Sequence, residues 1–245
     1  MEEVEVVVAH RERATLRVGD VFLKVDGEPS RTRRELEAMR LAPVPTAPVL
    51  WHTPPVVALG RLRGVPLGRL GVPDTSPAAA WSAAGAMVRA LHDAPLPLWP
   101  SPRRTPSWDD LAVEARSLVA DGLLPADLVE RNLEVARAAL RPHDPVFTHG
   151  DLQTLHVFVE GDSVTGVLDW SEAGPGDATY DLAVLTLGHE DRLDDVLAGY
   201  GGGVDVDAIT GWWSARSLLA ARWLLEHGFD PDAPGCEFDV LRARM

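Results

Sequence analysis

The residues with the clearest chemical potential lie between 145 and 183, PVFTHGDLQTLHVFVEGDSVTGVLDWSEAGPGDATYDLA. An apolar strand at 146–148 runs into His149-Gly150-Asp151, a short loop follows, and a β-hairpin ends at Asp169-Trp170. Asp151 and Asp169 stand 18 residues apart, and the hairpin itself brings them together. Phosphoryl transfer needs two carboxylates so placed. One accepts a proton from the attacking hydroxyl, or orients it, while the other holds the magnesium that bridges the phosphates. The transition state is mostly redistributed charge, so positioned charges supply most of the catalysis. A second signal is compositional. Of 23 basic residues, 22 are arginine and only Lys24 is lysine; Asn132 and Gln153 are likewise the sole members of their types. Arginine and lysine part company where a compact ammonium must sit close to its target, which singles out Lys24.

These residues need elements to hold them. Residues 3–9 and 13–18 read as strands, and a turn at Gly19-Asp20 leads into a third at 21–26, VFLKVD, in an antiparallel meander. Residues 30–41 read as a helix, with Ser30 or Thr32 as N-cap and Leu36, Met39 and Arg40 along one face. Five prolines keep 42–55 extended apart from a strand near 48–52, and 56–60 gives another. From Arg61 onward helical patterns dominate, at 77–92, 107–121, 124–141, 190–200 and 205–228. Two β runs, 155–160 and 164–169, interrupt them and turn through Gly161-Asp162. The expected architecture is α+β. A sheet-rich lobe spans 1–62 and a larger helical lobe 63–245, joined through GRLRGVP at 60–66.

The 245 residues suit one large domain or two lobes sharing a core, with no need of a disulfide or metal staple. A hydrophobic share of 46% and a charged share of 24% exclude a disordered or collagen-like chain. A single cysteine, Cys236, points to a reducing compartment. No apolar run approaches the roughly 18 residues of a membrane span. The start, MEEVEVVVAHRER, lacks a signal-peptide pattern, so a cytoplasmic location is expected. A formal net charge of −14 argues against a nucleic-acid partner and admits a cationic ligand.

The loop HGDLQTLH resembles the H-G-D-x-x-x-x-N loop of the aminoglycoside-phosphotransferase family, small-molecule kinases of the protein-kinase-like fold. VLDW resembles that family's [IL]-D-[WF] metal segment, and GPGDATYDLA is similar to its G-x-G-D-x-x-x-D-L-A continuation. The resemblance covers most of 13–190. It implies a bilobal fold, with an antiparallel-sheet N-lobe carrying one helix and a mainly helical C-lobe. It implies Asp151 as the catalytic aspartate and Asp169 as a metal ligand, with Asp177 and Asp181 bracing the loop. Lys24 falls where the strand lysine meets the α- and β-phosphates, and Glu35 where the helix glutamate pairs with it, Glu37 being the competing choice. Gly60, Arg61 and Leu62 fall at the hinge beside the nucleotide base. ALHDAPLP (90–97) is similar to the ending of the next helix. The implied reaction takes ATP or GTP with Mg2+ or Mn2+ and phosphorylates a hydroxyl of a small acceptor, aminoglycoside-like or other. The implied protein is a monomer or homodimer.

Two positions depart from the pattern. His156 stands in the metal set where the family has an asparagine; imidazole suits softer metals than magnesium, and Gln153 comes three positions early. The first turn, AHRERA, has no glycine, leaving Arg11 or Arg13 to cover the phosphates by charge. These departures admit an alternative: a kinase-like protein that binds nucleotide or ligand with weak or no turnover. Among the other residues, His149 is expected to hold the loop by hydrogen bonds. Trp212, Trp213 and Trp223 are expected in the core. Acidic residues near the end (Glu190, Asp191, Asp194, Asp195, Glu226, Asp230, Asp232, Glu237, Asp239) suit either a polycationic acceptor or a solvated helix face.

Overall fold

Strand β3 (Val21–Asp26) lies at the middle of the first sheet, and its alternation decides what faces the rest of the protein. With β1 (Val4–His10), β2 (Arg13–Val18), β4 (Val49–Thr53) and β5 (Val56–Gly60) it forms an antiparallel sheet of order β1-β2-β3-β5-β4. The computed structural model describes residues 3–10 and 12–244, so Arg11 lies outside the described residues. The register sets Arg13 opposite Asp26, and Thr15 and Val57 opposite Lys24. A strand's side chains alternate, so Lys24 and Asp26 share one face and both are buried.

Helix α1 (Pro29–Leu41) packs on that face. It starts earlier than expected, with Glu28 in the N-cap position and Pro29 in the first turn. Proline is pre-set for a helix start, and its missing N–H is not needed there. Ser30 and Thr32 therefore do not cap. Ser30 Oγ donates to Glu28, and Thr32 Oγ1 donates to the Pro55 carbonyl. The buried face carries Thr32, Glu35, Ala38 and Met39, while Arg40 turns outward to pair with Glu37.

The remainder is mostly helical: α2 (Ala78–His92), α3 (Trp108–Ala120), α4 (Ala126–Ala136), α5 (Ala178–Thr186), α6 (Leu193–Tyr200), α7 (Val206–Glu226) and α8 (Glu237–Arg242). The helix expected over 124–141 ends as a 3₁₀ turn at Arg137–Leu140. Helix α8 has no counterpart in the sequence reading. Helices α2 and α6 cross closely at two glycines: a Cβ on Gly85 would strike the Val196 carbonyl, and one on Gly199 the Ser82 carbonyl. Asn132 ties three helices together. Its amide donates to the Leu128 and Leu241 carbonyls, both at 3.0 Å, and its oxygen accepts from Ser214 at 2.7 Å.

Short strands β6 (Val65–Pro66), β8 (Val157–Glu160) and β9 (Ser163–Val167) form one small sheet, and β7 (Val146–Thr148) pairs with β10 (Gly174–Gly176). The hairpin is shorter than expected, so His156 and Asp169 lie on turns just outside the strands. Trp81, Trp170 and Phe147 are fully buried. Trp212 and Trp213 are core residues as expected, but Trp223 is half exposed, stacked on His227 at 4.1 Å. Its position at the end of α7 runs past the neighbouring helices. No helix among the described residues is long and apolar enough to cross a membrane.

Candidate active site

Asp151 sits at the end of β7 in a loop fixed largely by backbone hydrogen bonds. Gly150 adopts a φ of 81°, a left-handed conformation that glycine accepts without strain, and a Cβ there would run into the Glu172 carbonyl. Asp181, fully buried on α5, accepts from the His149 amide at 2.7 Å and the Gly150 amide at 2.9 Å. His149 accepts from the Asp151 amide through Nδ1 (3.3 Å), so its Nε2–H donates to the Leu168 carbonyl (2.8 Å). Burial lowers its pKa and keeps the ring neutral. Leu168 in turn donates its amide to the His156 carbonyl. The Asp151 loop is thus stitched to the turn that carries Asp169.

Burial opposes the charge on Asp151, but neighbouring His156, a hydrogen bond from Gln153 and the charge of Arg216 together hold its carboxyl below the usual range. Gln153 grips both carboxylate oxygens of Asp151, at 3.0 and 3.2 Å. It therefore orients the aspartate and does not stand in for the family asparagine. His156 donates from Nδ1 to the Asp151 carbonyl (2.8 Å), which leaves the Nε2 lone pair as the ring's remaining donor to a metal.

Asp169 is the sole non-glycine residue among those described with positive φ, at 60°. That conformation is uncommon for a side chain other than asparagine or aspartate. Around it lies a group of five charges. Lys24 Nζ donates to Glu35 at 2.7 Å and to Asp169 at 2.8 Å, and Glu37, the competing residue, points away to Arg40. Arg13 Nη1 contacts both oxygens of Asp169, at 3.1 and 2.9 Å. Its Nε donates to Asp26 (3.3 Å) and its Nη2 to Ser171 (2.8 Å). Arg34 donates to the Ser171 carbonyl at 3.0 Å, so three cations of the sheet and α1 reach the turn at 169–171.

Burial opposes ionisation of Asp169, yet Lys24, His156 and Arg13 outweigh it and hold its carboxyl far below the usual range. Burial likewise opposes the Lys24 ammonium, but Asp169 and Glu35 raise it overall. Glu35 is pushed upward, because burial and the nearby Asp169 prevail over its bond to Lys24. The ion pairs set three carboxylates, Asp26, Glu35 and Asp169, against Lys24 and Arg13, with Arg34 a third cation at the edge of the cluster.

The residues fit one divalent ion with phosphate completing its shell. No group of three or more His, Cys, Asp or Glu among the described residues is gathered as a metal cage. Magnesium is usually held by one or two carboxylates, with waters and substrate phosphates supplying the rest.

The expected hinge residues Gly60, Arg61 and Leu62 line a cavity of about 570 Å³, together with Asp20, Leu50 and Glu160. None of Lys24, Asp151 and Asp169 is among its lining residues, so this cavity is separate from the charged cluster. Leu62 packs against Gly166 of β9, and the Arg61 amide donates to the Asp20 carbonyl.

Sequence reasoning missed Asp26, Ser171, Tyr180 and Arg216. Arg216, on α7, pairs with buried Glu237 at 3.1 Å, and Tyr180 rests edge-on against Trp212 at 5.0 Å. Nothing distinguishes Arg216 from 21 other arginines until α7 turns it toward Asp151. Several of the acidic residues singled out near the end are paired with arginines: Glu190 with Arg244, Asp195 with Arg192, and Asp232 and Asp239 with one shared Arg242.

No curated protein matches the chain in sequence. Its fold is that of a spectinomycin phosphotransferase solved with ADP and spectinomycin (TM-score 0.72, 14% identity, covering 98% of this chain and 92% of that one). It is equally that of an aminoglycoside 2'-phosphotransferase solved with GDP (0.69, 16%, 99% and 92%) and of a macrolide 2'-phosphotransferase (0.66, 19%, 98% and 89%). The model of the phosphotransferase enzyme family matches residues 9–216, a span that begins before the first strand ends and takes in every charged residue of the cluster, and the chain belongs to that family.

Proposed function

We propose that this protein transfers the γ-phosphate of ATP or GTP to a hydroxyl of a small-molecule acceptor, aminoglycoside-like or other. The observation that carries the proposal is the Lys24 ammonium shared between Glu35 at 2.7 Å and Asp169 at 2.8 Å, on a turn stitched to the Asp151 loop. The 1–62 lobe binds the nucleotide, with Gly60, Arg61 and Leu62 beside the base and Lys24 on the phosphates, held by Glu35. The 63–245 lobe carries the reacting groups and the acceptor. Mg2+ or Mn2+, held by Asp169 and His156, would supply positive charge against the phosphates. Asp151, fixed by Gln153, orients the acceptor hydroxyl and takes its proton as the oxygen attacks phosphorus and the nucleoside diphosphate leaves. The lowered pKa of Asp151 keeps it ionised at neutral pH, ready for that role.

A cationic acceptor would be drawn by the long-range field of a chain of net charge −14 more than by the arginine-paired carboxylates near its end. The protein works as a monomer or homodimer in the cytoplasm.

The test is a titration with ATP and GTP, each with magnesium and with manganese, followed by melting temperature. Binding at a hundredfold excess over Kd stabilises by about 2.7 kcal/mol, a shift of several degrees. The shift is expected to vanish in Asp169→Ala. Nucleotide consumption with an acceptor is expected to fall by at least a hundredfold in Asp151→Ala while nucleotide binding persists. Full turnover in Asp151→Ala would remove the aspartate from the mechanism.

A further inference from the structure

The turn between β1 and β2 has no glycine, so it lacks the backbone freedom with which a turn wraps its amides around a phosphate. What the structure sets beside the Asp169 turn is the side chain of Arg13, the first residue of β2. Its guanidinium is divided between two parts of the protein. Nε stays on its own sheet, on Asp26, the residue directly opposite in register. Nη1 and Nη2 cross to Asp169 and Ser171.

Asp169 is heavily engaged in this arrangement, unevenly between its two oxygens. Its oxygens accept from Lys24, from Ser171 at 3.1 Å and twice from Arg13. An ionised carboxylate offers about four acceptor positions. Oδ1 takes three of these donors and Oδ2 takes Arg13 alone, so a cation that binds through both oxygens competes with Arg13. Lys24 is tied to buried Glu35 as well, and Ser171 is held at its carbonyl by Arg34. The Nη1 and Nη2 end of Arg13 has no other anchor.

We propose that Arg13 is the phosphate clamp of this enzyme and works in two positions. This rests on the nucleotide-binding reading above. Without nucleotide its terminal nitrogens hold Asp169. When a nucleoside triphosphate arrives with its divalent cation, they leave the carboxylate and grip the terminal phosphates, while Nε remains on Asp26. Asp26 is then a positioning residue, keeping the guanidinium at the mouth of the site in both positions. The fork of arginine matches two phosphate oxygens, as a lysine ammonium does not. The exchange also leaves no charge unpaired: the carboxylate gains the cation, and the guanidinium gains the phosphates.

Calorimetric titration of wild type, Arg13→Met, Arg13→Lys and Asp26→Asn tests this, with magnesium-ATP and magnesium-GTP, with the nucleosides adenosine and guanosine, and with Mn2+ alone. Arg13→Met is expected to weaken triphosphate binding about tenfold to a hundredfold, the loss of one or two charge-assisted hydrogen bonds. Nucleoside binding is expected to change less than about twofold, because the bond lost belongs to the phosphates. Mn2+ alone is expected to bind more tightly to Arg13→Met than to wild type, since a competing donor is gone. Asp26→Asn and Arg13→Lys, which keep the cation, are expected to fall between wild type and Arg13→Met for the triphosphate; they also serve if the methionine variant folds poorly. Equal weakening of nucleoside and triphosphate, or no gain in Mn2+ binding, would make Arg13 a strut between the lobes and overturn the proposal. Wild-type protein that binds no nucleotide at all would overturn the reading of the cleft itself. Wild-type binding that Arg13→Met leaves unchanged would overturn only the clamp.

Discussion

Asp181 brings no charge to the reacting atoms, yet both its oxygens are committed to the amides of His149 and Gly150, and His92 approaches it at 3.3 Å. Replacing it by alanine orphans two buried N–H groups at a cost of about 1–3 kcal/mol each. The expected result for Asp181→Ala is a melting temperature lower by several degrees and a sharp loss of turnover in the protein that remains folded. Nucleotide binding, proposed above to rest on Lys24 and Asp169 and not on the two braced amides, should hold within about threefold. Calorimetry at a temperature where the variant is folded separates the two. This scale is also where the sequence was most informative. Asp151 and Asp169 were legible because each sits in a contiguous motif and Lys24 because it is the one lysine, whereas Glu35 was placed by resemblance with Glu37 as the competing choice. Asp26, Ser171 and Arg216 were not, because register and helix packing give them their partners and no local spacing encodes either.

Elements are positioned by contacts that reveal themselves only in three dimensions. The crossing of α2 and α6 depends on Gly85 and Gly199, where neighbouring backbone fills the space a Cβ would need. A methyl forced into such a contact typically costs about 1–3 kcal/mol, enough to outweigh alanine's better helix propensity. Gly199→Ala is therefore expected to lower the melting temperature measurably, whereas alanine elsewhere on an exposed helix face would raise it slightly. β-Branched and aromatic runs bounded by turn residues made strands β2, β3 and β5 readable to the residue, and helical patterning made α2, α3 and α7 readable to within two. The start of α1 was misread because Pro29 can begin a helix without a side-chain cap. Strands β6 and β10 and helix α8 are too short for any periodicity to register.

For the molecule as a whole, protons provide a test of the buried loop. His149 is held neutral by burial, below its ordinary value of 6.5. Below that pH the unfolded chain binds a proton that the folded chain refuses, so stability falls as pH falls, by at most about 1.4 kcal/mol per pH unit. The depressed carboxyls of Asp151 and Asp169 act in the same direction at lower pH, their stabilisation being present above the usual carboxylate range and lost in acid. Glu35 runs the other way, since its raised pKa means the folded chain releases that proton less readily. Melting curves between pH 5 and 7 are expected to show a shallower slope for His149→Gln than for wild type. Equal slopes would mean that the ring takes up its proton as readily in the folded protein as in the unfolded chain. The two-lobed fold itself was legible in advance, because a sheet-forming pattern gives way to a helical one at a single place in the chain.

The bonds from Arg13 and Lys24 to Asp169 join residues 156 and 145 positions apart. On a ribosome, neither cation meets Asp169 until 169 of the 245 residues have been joined, and no earlier fragment can complete the site. The sheet must wait with two cations and two carboxylates, Asp26 and Glu35, turned toward a partner not yet made. A chain interrupted before Asp169 therefore yields a sheet whose two cations are paired only with Asp26 and Glu35, without the carboxylate that joins them to the rest of the site.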